Sequence, residues 1–358
     1  MEGSLGFLFL AFLIIPLPHF FIFCTGHTDS EVRCIDSERH ALLNFKKDLI
    51  DPSNRLSSWT VDGDCCHWLG VVCHNLTAHV HQLHLSGLDT EKFGGKLNPS
   101  LLDLKHLNYF DLSYNSFTST PIPSFLGLMK SLTHLNLSKA GFVGLIPHQL
   151  GNLSNLHLLN LESYWVYGLY VNNLQWLSGL PLLQHLDMSS VNLSKAFDWL
   201  QLANTLPSLS ELLLSNCQLP FIPLVVDVHN MTSLRHLDLS WNNFNSSIPN
   251  WLYSFSRLEF LNLRSSNLQG TIFSAIGNLT SAISIDLSGN ELEGKLPRSL
   301  GNLCNLSVII LSSNKWSQEI SEILESLSRC LSDRLEMLDL SYSQLHGHLP
   351  DDLGYLKI

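Results

Sequence analysis

The stretch Leu234–Leu252, LRHLDLSWNNFNSSIPNWL, contains the pattern on which the fold of this chain depends. Leu237 and Leu239 are two residues apart, so both side chains lie on the same face of an extended strand. Asn242 follows where the chain must leave the strand, and a buried amide there can bond backbone groups that the bend leaves unpaired. Pro249 then fixes an extended backbone on the opposite wall. We interpret the segment as one coil whose apolar face cannot be buried by that coil alone.

The same skeleton recurs along most of the chain, so one structural unit explains most of the sequence. Its form, LxxLxLxxNxL, and its usual spacing of 24 or 25 residues are those of the leucine-rich repeat. The pattern predicts an α/β solenoid, a right-handed superhelix with a parallel β-sheet on its concave side, over residues 80–358. About eleven units begin at Val80, Leu107, Leu132, Leu156, Leu183, Leu209, Leu234, Leu258, Ala282, Leu306 and Leu335, and the last is truncated.

Stacked coils would align their turn asparagines in a ladder. Other residues replace asparagine in several units, and we expect the cysteine among them, Cys217, to be a buried structural thiol rather than a nucleophile. Asparagine holds the position at Asn115, Asn242, Asn290 and Asn314, and the replacements are Ala140, Tyr164, Val191, Cys217, Ser266 and Ser343.

Composition limits the class of protein. The 358 residues are 45% apolar, which provides ample core, and the formal charge of −11 argues against nucleic acid as a partner. No nucleophile elbow, zinc-protease helix or phosphate-binding loop occurs, and the seventeen histidines are scattered. We therefore expect no enzyme activity, no cofactor and no bound metal.

The first 26 residues resemble a secretory signal peptide. Residues 5–23 form an apolar run, and Cys24–Gly26 supplies small residues suitable for cleavage. No lysine or arginine precedes the run, so a retained membrane anchor is the alternative; Pro16 and Pro18 interrupt the run and weaken that alternative. We expect the secretory pathway, with export to the apoplast if the chain is complete.

Cysteines and glycosylation signals agree with export. Seven of the eight cysteines lie outside the leader, an odd number that suits an oxidising compartment with one unpaired thiol. Eight N-x-Ser/Thr signals predict glycosylation at Asn75, Asn136, Asn152, Asn192, Asn230, Asn245, Asn278 and Asn305.

Residues 27–79 precede the repeats, and we expect them to form a lid over the open end of the first coil. The segment 36–50 has helical periodicity, and a cysteine-rich stretch with Trp68 follows. Four cysteines allow three pairings; we favour Cys34 with Cys65 and Cys66 with Cys73. A metal site using His67 or His74 is the alternative, although the spacing does not suit a zinc knuckle.

These residues resemble a known family. A cysteine pair followed by WxGVxC, here Trp68 to Cys73, resembles the plant-type N-terminal cap of leucine-rich repeat proteins, and the near copies at 144–153 and 294–303 have the plant extracellular form LxGxIPxxLGNL. Segments 169–177, 192–200 and 302–306 look like a clade of plant receptor-like proteins that includes receptors for a fungal xylanase. The resemblance implies a second short sheet beside the main one and a disulfide between Cys304 and Cys330.

The same resemblance implies a function. Such ectodomains bind a protein, peptide or glycan ligand on the concave face and signal in defence through adaptor and co-receptor kinases. Full-length members are single-pass type I proteins of the cell membrane, whereas this chain stops within a coil, so we interpret it as the N-terminal part of such an ectodomain. A soluble inhibitor of microbial cell-wall-degrading enzymes, similar to polygalacturonase inhibitors, and a truncated decoy are the alternatives.

Candidate ligand-contacting residues are the concave positions that depart from the repeat. Aromatic and arginine side chains anchor protein interfaces, so they are the first choice. Five aspartates, from Asp111 to Asp339, also face this side, but we expect them to belong to the scaffold. The candidates are Tyr109, Tyr114, His134, Lys139, His185, His236, Trp241, Phe260, Arg264 and Tyr342.

Overall fold

A computed structural model describes residues 33–88, 90–165, 168–328, 330 and 334–349; the expected signal peptide at 1–26 lies outside them. A twelve-stranded sheet runs through this part of the chain with its strands in chain order. The first pair is antiparallel and every later pair is parallel. Its strands are Val71–Cys73, Val80–His84, Tyr109–Asp111, His134–Asn136, Leu158–Asn160, His185–Asp187, Glu211–Leu213, His236–Asp238, Phe260–Asn262, Ser284–Asp286, Val308–Ile310 and Met337–Asp339.

The alternation of leucine with polar residues sets the register of this sheet. Leu237 pairs with Leu212 on one side and Leu261 on the other. Leu237 and Leu239 are 1% and 0% exposed, so the leucine side of each strand faces the interior of the coil. Each coil buries its apolar face against the next one, and the stacked solenoid predicted from the leucine spacing is confirmed.

The N-terminal cap covers the first coil. Its helix, Asp36–Asp48, buries Ala41, Leu42 and Phe45 against the solenoid. Trp68 is also buried, and its ring stacks on Trp59 at 5.3 Å between centroids. Because the cap also contributes the antiparallel strand Val71–Cys73, the exposed end of the parallel sheet is covered by backbone as well as by side chains.

Three disulfides hold the two ends of the described region. Cys34 joins Cys65 and Cys66 joins Cys73 in the cap, each with 5.4 Å between Cα atoms. Cys304 joins Cys330 behind the last coils.

The wall opposite the sheet consists mainly of single 3₁₀ turns. Two coils carry α-helices there instead, Trp199–Ala203 and Ile320–Leu327. Short parallel sheets join neighbouring coils beside the main sheet, and in the cap Leu49–Ile50 pairs antiparallel with Gly94–Gly95. The short parallel sheets contain Gly144–Leu145 with Leu169–Tyr170, and Gln269–Gly270, Glu291–Gly294 and Lys315–Trp316. The 3₁₀ turns are Arg55–Ser58, Cys65–His67, Pro99–Asp103, Ser124–Leu128, His148–Asn152, Gln175–Gly179, Asn250–Ser254, Ser274–Asn278 and Arg298–Asn302.

The ladder bonds form at the four turn asparagines, each of which donates to two carbonyl oxygens: Asn115, Asn242, Asn290 and Asn314. Asn242 donates from Nδ2 to the carbonyl oxygens of Leu214 and Leu239 at 2.8 and 2.9 Å, and its Oδ1 accepts the Leu219 N–H at 3.0 Å. Tyr164, expected at a ladder position, is instead 39% exposed. The preceding residue, Ser163, is 9% exposed instead, and its hydroxyl donates to the Trp165 carbonyl oxygen at 3.1 Å.

Candidate functional site

Three columns of side chains cover the face of the main sheet opposite the buried leucines. Residues in one column are register partners in successive strands. The first column contains Gln82, Tyr109, His134, Leu158, His185, Glu211, His236, Phe260, Ser284, Val308 and Met337. The second, two residues further along each strand, contains His84, Asp111, Asn136, Asn160, Asp187, Leu213, Asp238, Asn262, Asp286, Ile310 and Asp339.

Aspartates of the second column are part of the scaffold. Asp238 Oδ1 accepts the backbone N–H of Ser240 at 2.8 Å, and Asp286 bonds Ser288 in the same way at 2.9 Å. The same bond recurs at Asp111, Asp187 and Asp339. Each carboxylate therefore closes the turn that ends its strand, and the row of acids does not form a free acidic stripe.

The third column lies just past the strands and has an unusual backbone. Its residues have positive φ, 58° at Trp241 for example. From Tyr114 to Ser313, the N–H of each bonds a carbonyl oxygen of the next coil, as Trp241 does to Arg264 at 2.8 Å. Glycine and asparagine adopt this left-handed region at the lowest cost, so bulky residues there are under local strain. The column contains Tyr114, Lys139, Ser190, Asn216, Trp241, Ser265, Gly289, Ser313 and Tyr342.

Four of the candidate residues form an N-terminal aromatic patch: Tyr109, Tyr114, His134 and Lys139. The Tyr109 and His134 rings lie 5.5 Å apart, and Lys139 Nζ lies 5.5 Å from the centroid of Tyr114. Lys139 Nζ also lies 2.9 Å from a carboxylate oxygen of Glu162, and this hydrogen bond raises the pKa of Lys139 above its usual value. The patch therefore presents a cation that is held between the ring of Tyr114 and the carboxylate of Glu162.

Four more candidates form a central aromatic patch: His236, Trp241, Phe260 and Arg264. His236 and Phe260 lie 5.4 Å apart in adjacent strands. The Arg264 guanidinium lies 5.6 Å from the Trp241 centroid, and Trp241 is 56% exposed. Rings and cations are thus paired between coils at both patches.

Two candidates stand apart from these patches. His185 Nδ1 lies 2.8 Å from Glu211 Oε2, in the coils between the two patches. Tyr342 is 87% exposed in the last described coil and pairs with neither patch.

Other contributors were not identified from the sequence. His84 stacks on Tyr109 at 4.5 Å and extends the N-terminal aromatic patch. Lys92 Nζ lies 3.4 Å from the Tyr164 hydroxyl, so loops of the first and fourth coils meet. These pairs form because of the way the coils are arranged in space, and the periodicity of the sequence does not reveal them.

The long coil from Leu156 to Leu183 is rich in aromatic residues, and those that the structure describes do not form one cluster. Tyr164 and Trp165 are exposed beside the sheet, whereas Trp176 is 9% exposed on the opposite wall. Tyr170 belongs to a short accessory strand, and Tyr167 lies outside the described residues.

The expected glycosylation sites differ in exposure. Asn136 and Asn192 are half-buried, and their Oδ1 atoms accept the N–H of Ser138 and Ser194. These two are the least accessible of the eight. The exposed six are Asn75, Asn152, Asn230, Asn245, Asn278 and Asn305.

Cysteine chemistry is structural throughout the described residues. Cys34, Cys65 and Cys66 lie close together, but disulfides occupy their sulfur atoms and leave no thiolates to hold a metal ion. Cys217 is fully buried; burial raises the pKa of its thiol, which donates to the Met188 carbonyl oxygen at 3.1 Å.

Comparison with known families identifies the class of protein. Residues 35–74 match the leucine rich repeat N-terminal domain, and six segments match the Leucine Rich Repeat: 106–128, 131–153, 233–255, 257–279, 281–303 and 334–356. Together with the solenoid and its capped parallel sheet, these matches show that the chain belongs to the leucine-rich repeat proteins. The matched families are a repeat and its N-terminal cap, both of them non-catalytic.

Similarity to two receptor-like proteins narrows the class of protein further. The chain is 38% identical over 265 residues to receptor-like protein EIX1 of Solanum lycopersicum, and 44% identical over 246 residues to receptor-like protein EIX2. These alignments cover 69% and 64% of this chain but only 25% and 24% of the relatives. The protein is thus related to plant receptor-like proteins and corresponds to about a quarter of their length.

Solved structures agree on the fold. The ectodomain of the Arabidopsis receptor kinase HAESA, bound to an N-terminally extended IDA peptide hormone, superposes with a TM-score of 0.70 at 26% identity, over 87% of this chain and 50% of that one. HAESA with IDA and the co-receptor SERK1 gives a TM-score of 0.61 at 27% identity, over 87% and 46%.

Among the residues that the structure describes, no helix is both long and apolar enough to cross a membrane.

Proposed function

We propose that this chain is the N-terminal part of a receptor-type recognition ectodomain and that it binds a protein or peptide ligand across the two aromatic patches. The leader would comprise residues 1–26, the cap 27–79 and the repeats 80–358. The observation that carries the proposal is the third column, where Tyr114 and Trp241 keep large exposed rings on left-handed backbone. Glycine or asparagine would be more stable at these positions. A contact with a ligand therefore explains the two aromatic residues better than a role in the fold does.

Charge supports a protein or peptide ligand. Lys139 and Arg264 each lie over an aromatic ring; Lys139 already shares its charge with Glu162, so Arg264 is the cation more open to a ligand. A cation on a ring offers an apolar surface and a charged hydrogen-bond donor together, which is the combination found at interface anchors. The acids of the second column are engaged with backbone, so the central aromatic patch would accept a carboxylate group of a ligand at Arg264 without repulsion from that column.

Signalling would require partners. HAESA is structurally similar to this chain and is seen with both a peptide hormone and the co-receptor SERK1. By analogy, we propose that this ectodomain acts in defence at the cell membrane or in the apoplast, together with adaptor and co-receptor kinases.

Binding of a purified ligand to matched variants tests the proposal. The secreted chain is immobilised, and microbial culture fluid is fractionated until one saturable binder is isolated. The double variant Tyr109→Ala/Trp241→Ala should then weaken binding at least about tenfold. The control Leu128→Ala/Phe273→Ala removes exposed apolar side chains outside the sheet and should leave affinity within about twofold.

If the double variant Tyr109→Ala/Trp241→Ala kept the parent affinity while the control lost it, the concave face would be rejected as the binding surface. A binder that is a cell-wall-degrading enzyme and loses activity in the complex would instead support the inhibitor hypothesis.

A further inference from the structure

We propose that a groove on the wall opposite the main sheet holds the first sugars of an N-linked glycan attached to Asn152. The groove has a volume of about 490 Å³ and lies between the 3₁₀ turns His148–Asn152 and Gln175–Gly179. It is separate from the concave columns, so this proposal does not depend on the ligand-binding one.

Close stacking of glycines forms the groove. A Cβ atom added to Gly151 would lie 2.3 Å from the Trp176 carbonyl oxygen, and one added to Gly179 would lie 2.1 Å from the Gly151 carbonyl oxygen. The two turns therefore touch through backbone, and no side chain of these glycines fills the space above them. The longer coil that follows supplies Asn172 and Asn173 as a further wall.

The lining suits a carbohydrate. Asn172, Asn173 and Gln175 provide amide donors and acceptors, which match sugar hydroxyl and N-acetyl groups. Trp176 also lines the groove; it is 9% exposed, so it offers a small apolar contact and not an open aromatic face. Its indole N–H is buried and has no acceptor among the described residues. A buried donor without an acceptor costs free energy, so an acceptor on a sugar would be favourable there.

Asn152 places the sugar at the groove. It is exposed, it belongs to the signal Asn152-Leu153-Ser154, and it lines the groove itself. A glycan joined to its side chain starts within the groove, so its first residues are held there at high effective concentration. No such advantage exists for a free saccharide, and for this reason we assign the groove to the chain's own glycan.

Asn278 is a matched control within the same chain. It is exposed at the end of the 3₁₀ turn Ser274–Asn278, in the signal Asn278-Leu279-Thr280, at the equivalent position of its coil. The neighbour that a Cβ atom on the preceding Gly277 would meet is Ser299, at 2.9 Å, in place of a tryptophan. A glycan there should project freely into solvent.

Native deglycosylation measures the difference. The full chain is secreted from a eukaryotic host that makes uniform oligomannose glycans and is treated, folded, with an endoglycosidase that cuts between the first two sugars. Site-resolved mass spectrometry should show cleavage at Asn152 about fivefold slower than at Asn278, equivalent to about 1 kcal/mol at 1.4 kcal/mol per tenfold change. After denaturation the two rates should be equal.

A variant of the groove completes the test. Asn173→Ala/Gln175→Ala should raise the Asn152 rate to that of Asn278 without changing the Asn278 rate. Equal rates in the unaltered folded chain, an unmodified Asn152, or protection that persists in the double variant would each overturn the proposal. A thermal midpoint that falls more in Asn152→Gln than in Asn278→Gln would support it independently.

Discussion

Arg264 contacts Trp241 twice: its guanidinium lies 5.6 Å from the centre of the indole, and its carbonyl oxygen accepts the Trp241 N–H at 2.8 Å. The second contact is a backbone bond that any residue at position 241 would make. The first depends on the side chain and contributes about 0.5–1 kcal/mol at an exposed site. The backbone of Trp241 therefore serves the scaffold, and its side chain serves the proposed recognition surface.

This separation predicts the effect of Trp241→Asn. Asparagine adopts the left-handed backbone more readily, which offsets the loss of about 0.5–1 kcal/mol from the cation–π contact. Urea unfolding should place the variant within about 1 kcal/mol of the parent, whereas ligand binding should fall. Leu239→Ala, which leaves a cavity beside the same turn, should cost about 2–5 kcal/mol. A similar loss in Trp241→Asn would mean that the indole is part of the fold.

The asparagine ladder gives a second prediction. Asn242→Ala removes the donor that bonds the carbonyl oxygens of Leu214 and Leu239, and it leaves the Leu219 N–H without its acceptor. Each buried group left unpaired costs about 1–3 kcal/mol, so a fall of at least about 3 kcal/mol in the free energy of unfolding is expected. The neighbouring Asn243 is exposed and accepts one bond from Asn267, so Asn243→Ala should change it by less than about 0.5 kcal/mol.

The histidines at the junction of cap and first coil predict an acid-sensitive stability. Burial lowers the pKa of His81 below its usual 6.5; the nearby His74, His106 and His79 lower it further, and Glu38 opposes them. Above pH 6.5 His81 is neutral in both states. As the pH falls through 6.5, the unfolded chain takes up the proton more readily, so the free energy of unfolding decreases until the pH is below the folded-state pKa.

Chemical denaturation at pH 7.5, 6.5 and 5.5 measures this loss. His81→Gln should reduce the pH dependence, whereas His40→Gln, an exposed change on the cap helix, should leave it unchanged. If the free energy of unfolding fell equally with pH in the parent chain and in His81→Gln, His81 would not be the source of the acid sensitivity.

The disulfide between Cys304 and Cys330 should stabilise the coils at the C-terminal side of the described region. It closes a loop of 26 residues, which corresponds to about 3 kcal/mol if chain entropy dominates. In Cys304→Ser/Cys330→Ser, amide exchange should quicken in the helix Ile320–Leu327. Exchange in the cap should stay the same, because coils in a solenoid interact with their neighbours only. Faster exchange throughout the chain would show that the solenoid unfolds as one unit.

Much of the fold could be predicted because it depends on local spacing. Leu237 and Leu239 alternate with polar residues, and their strand lies where that alternation places it. The scaffold role of aspartates such as Asp238 was also predictable, since they occur at one fixed position of the repeat. Tyr164 was misassigned because an insertion shifts the turn, and spacing alone does not show on which side the extra residues leave the coil.

The concave patches were only partly predictable. Position within the repeat identified Tyr109 and His134 as concave, but the stacking of His84 on Tyr109 depends on lateral register between coils. The contact of Lys92 with Tyr164 joins residues from loops with no fixed place in the repeat. Such pairs arise from tertiary structure and leave no periodic signal in the sequence.

The third column has an evolutionary consequence. From Tyr114 to Ser313 its backbone is fixed by a bond from each N–H to the next coil, so residues as different as Gly289, Ser265 and Trp241 occupy equivalent sites. Duplicated genes could exchange side chains there one at a time without first acquiring compensating changes in the core. New specificities would then arise by single point mutations at sites spaced one coil apart.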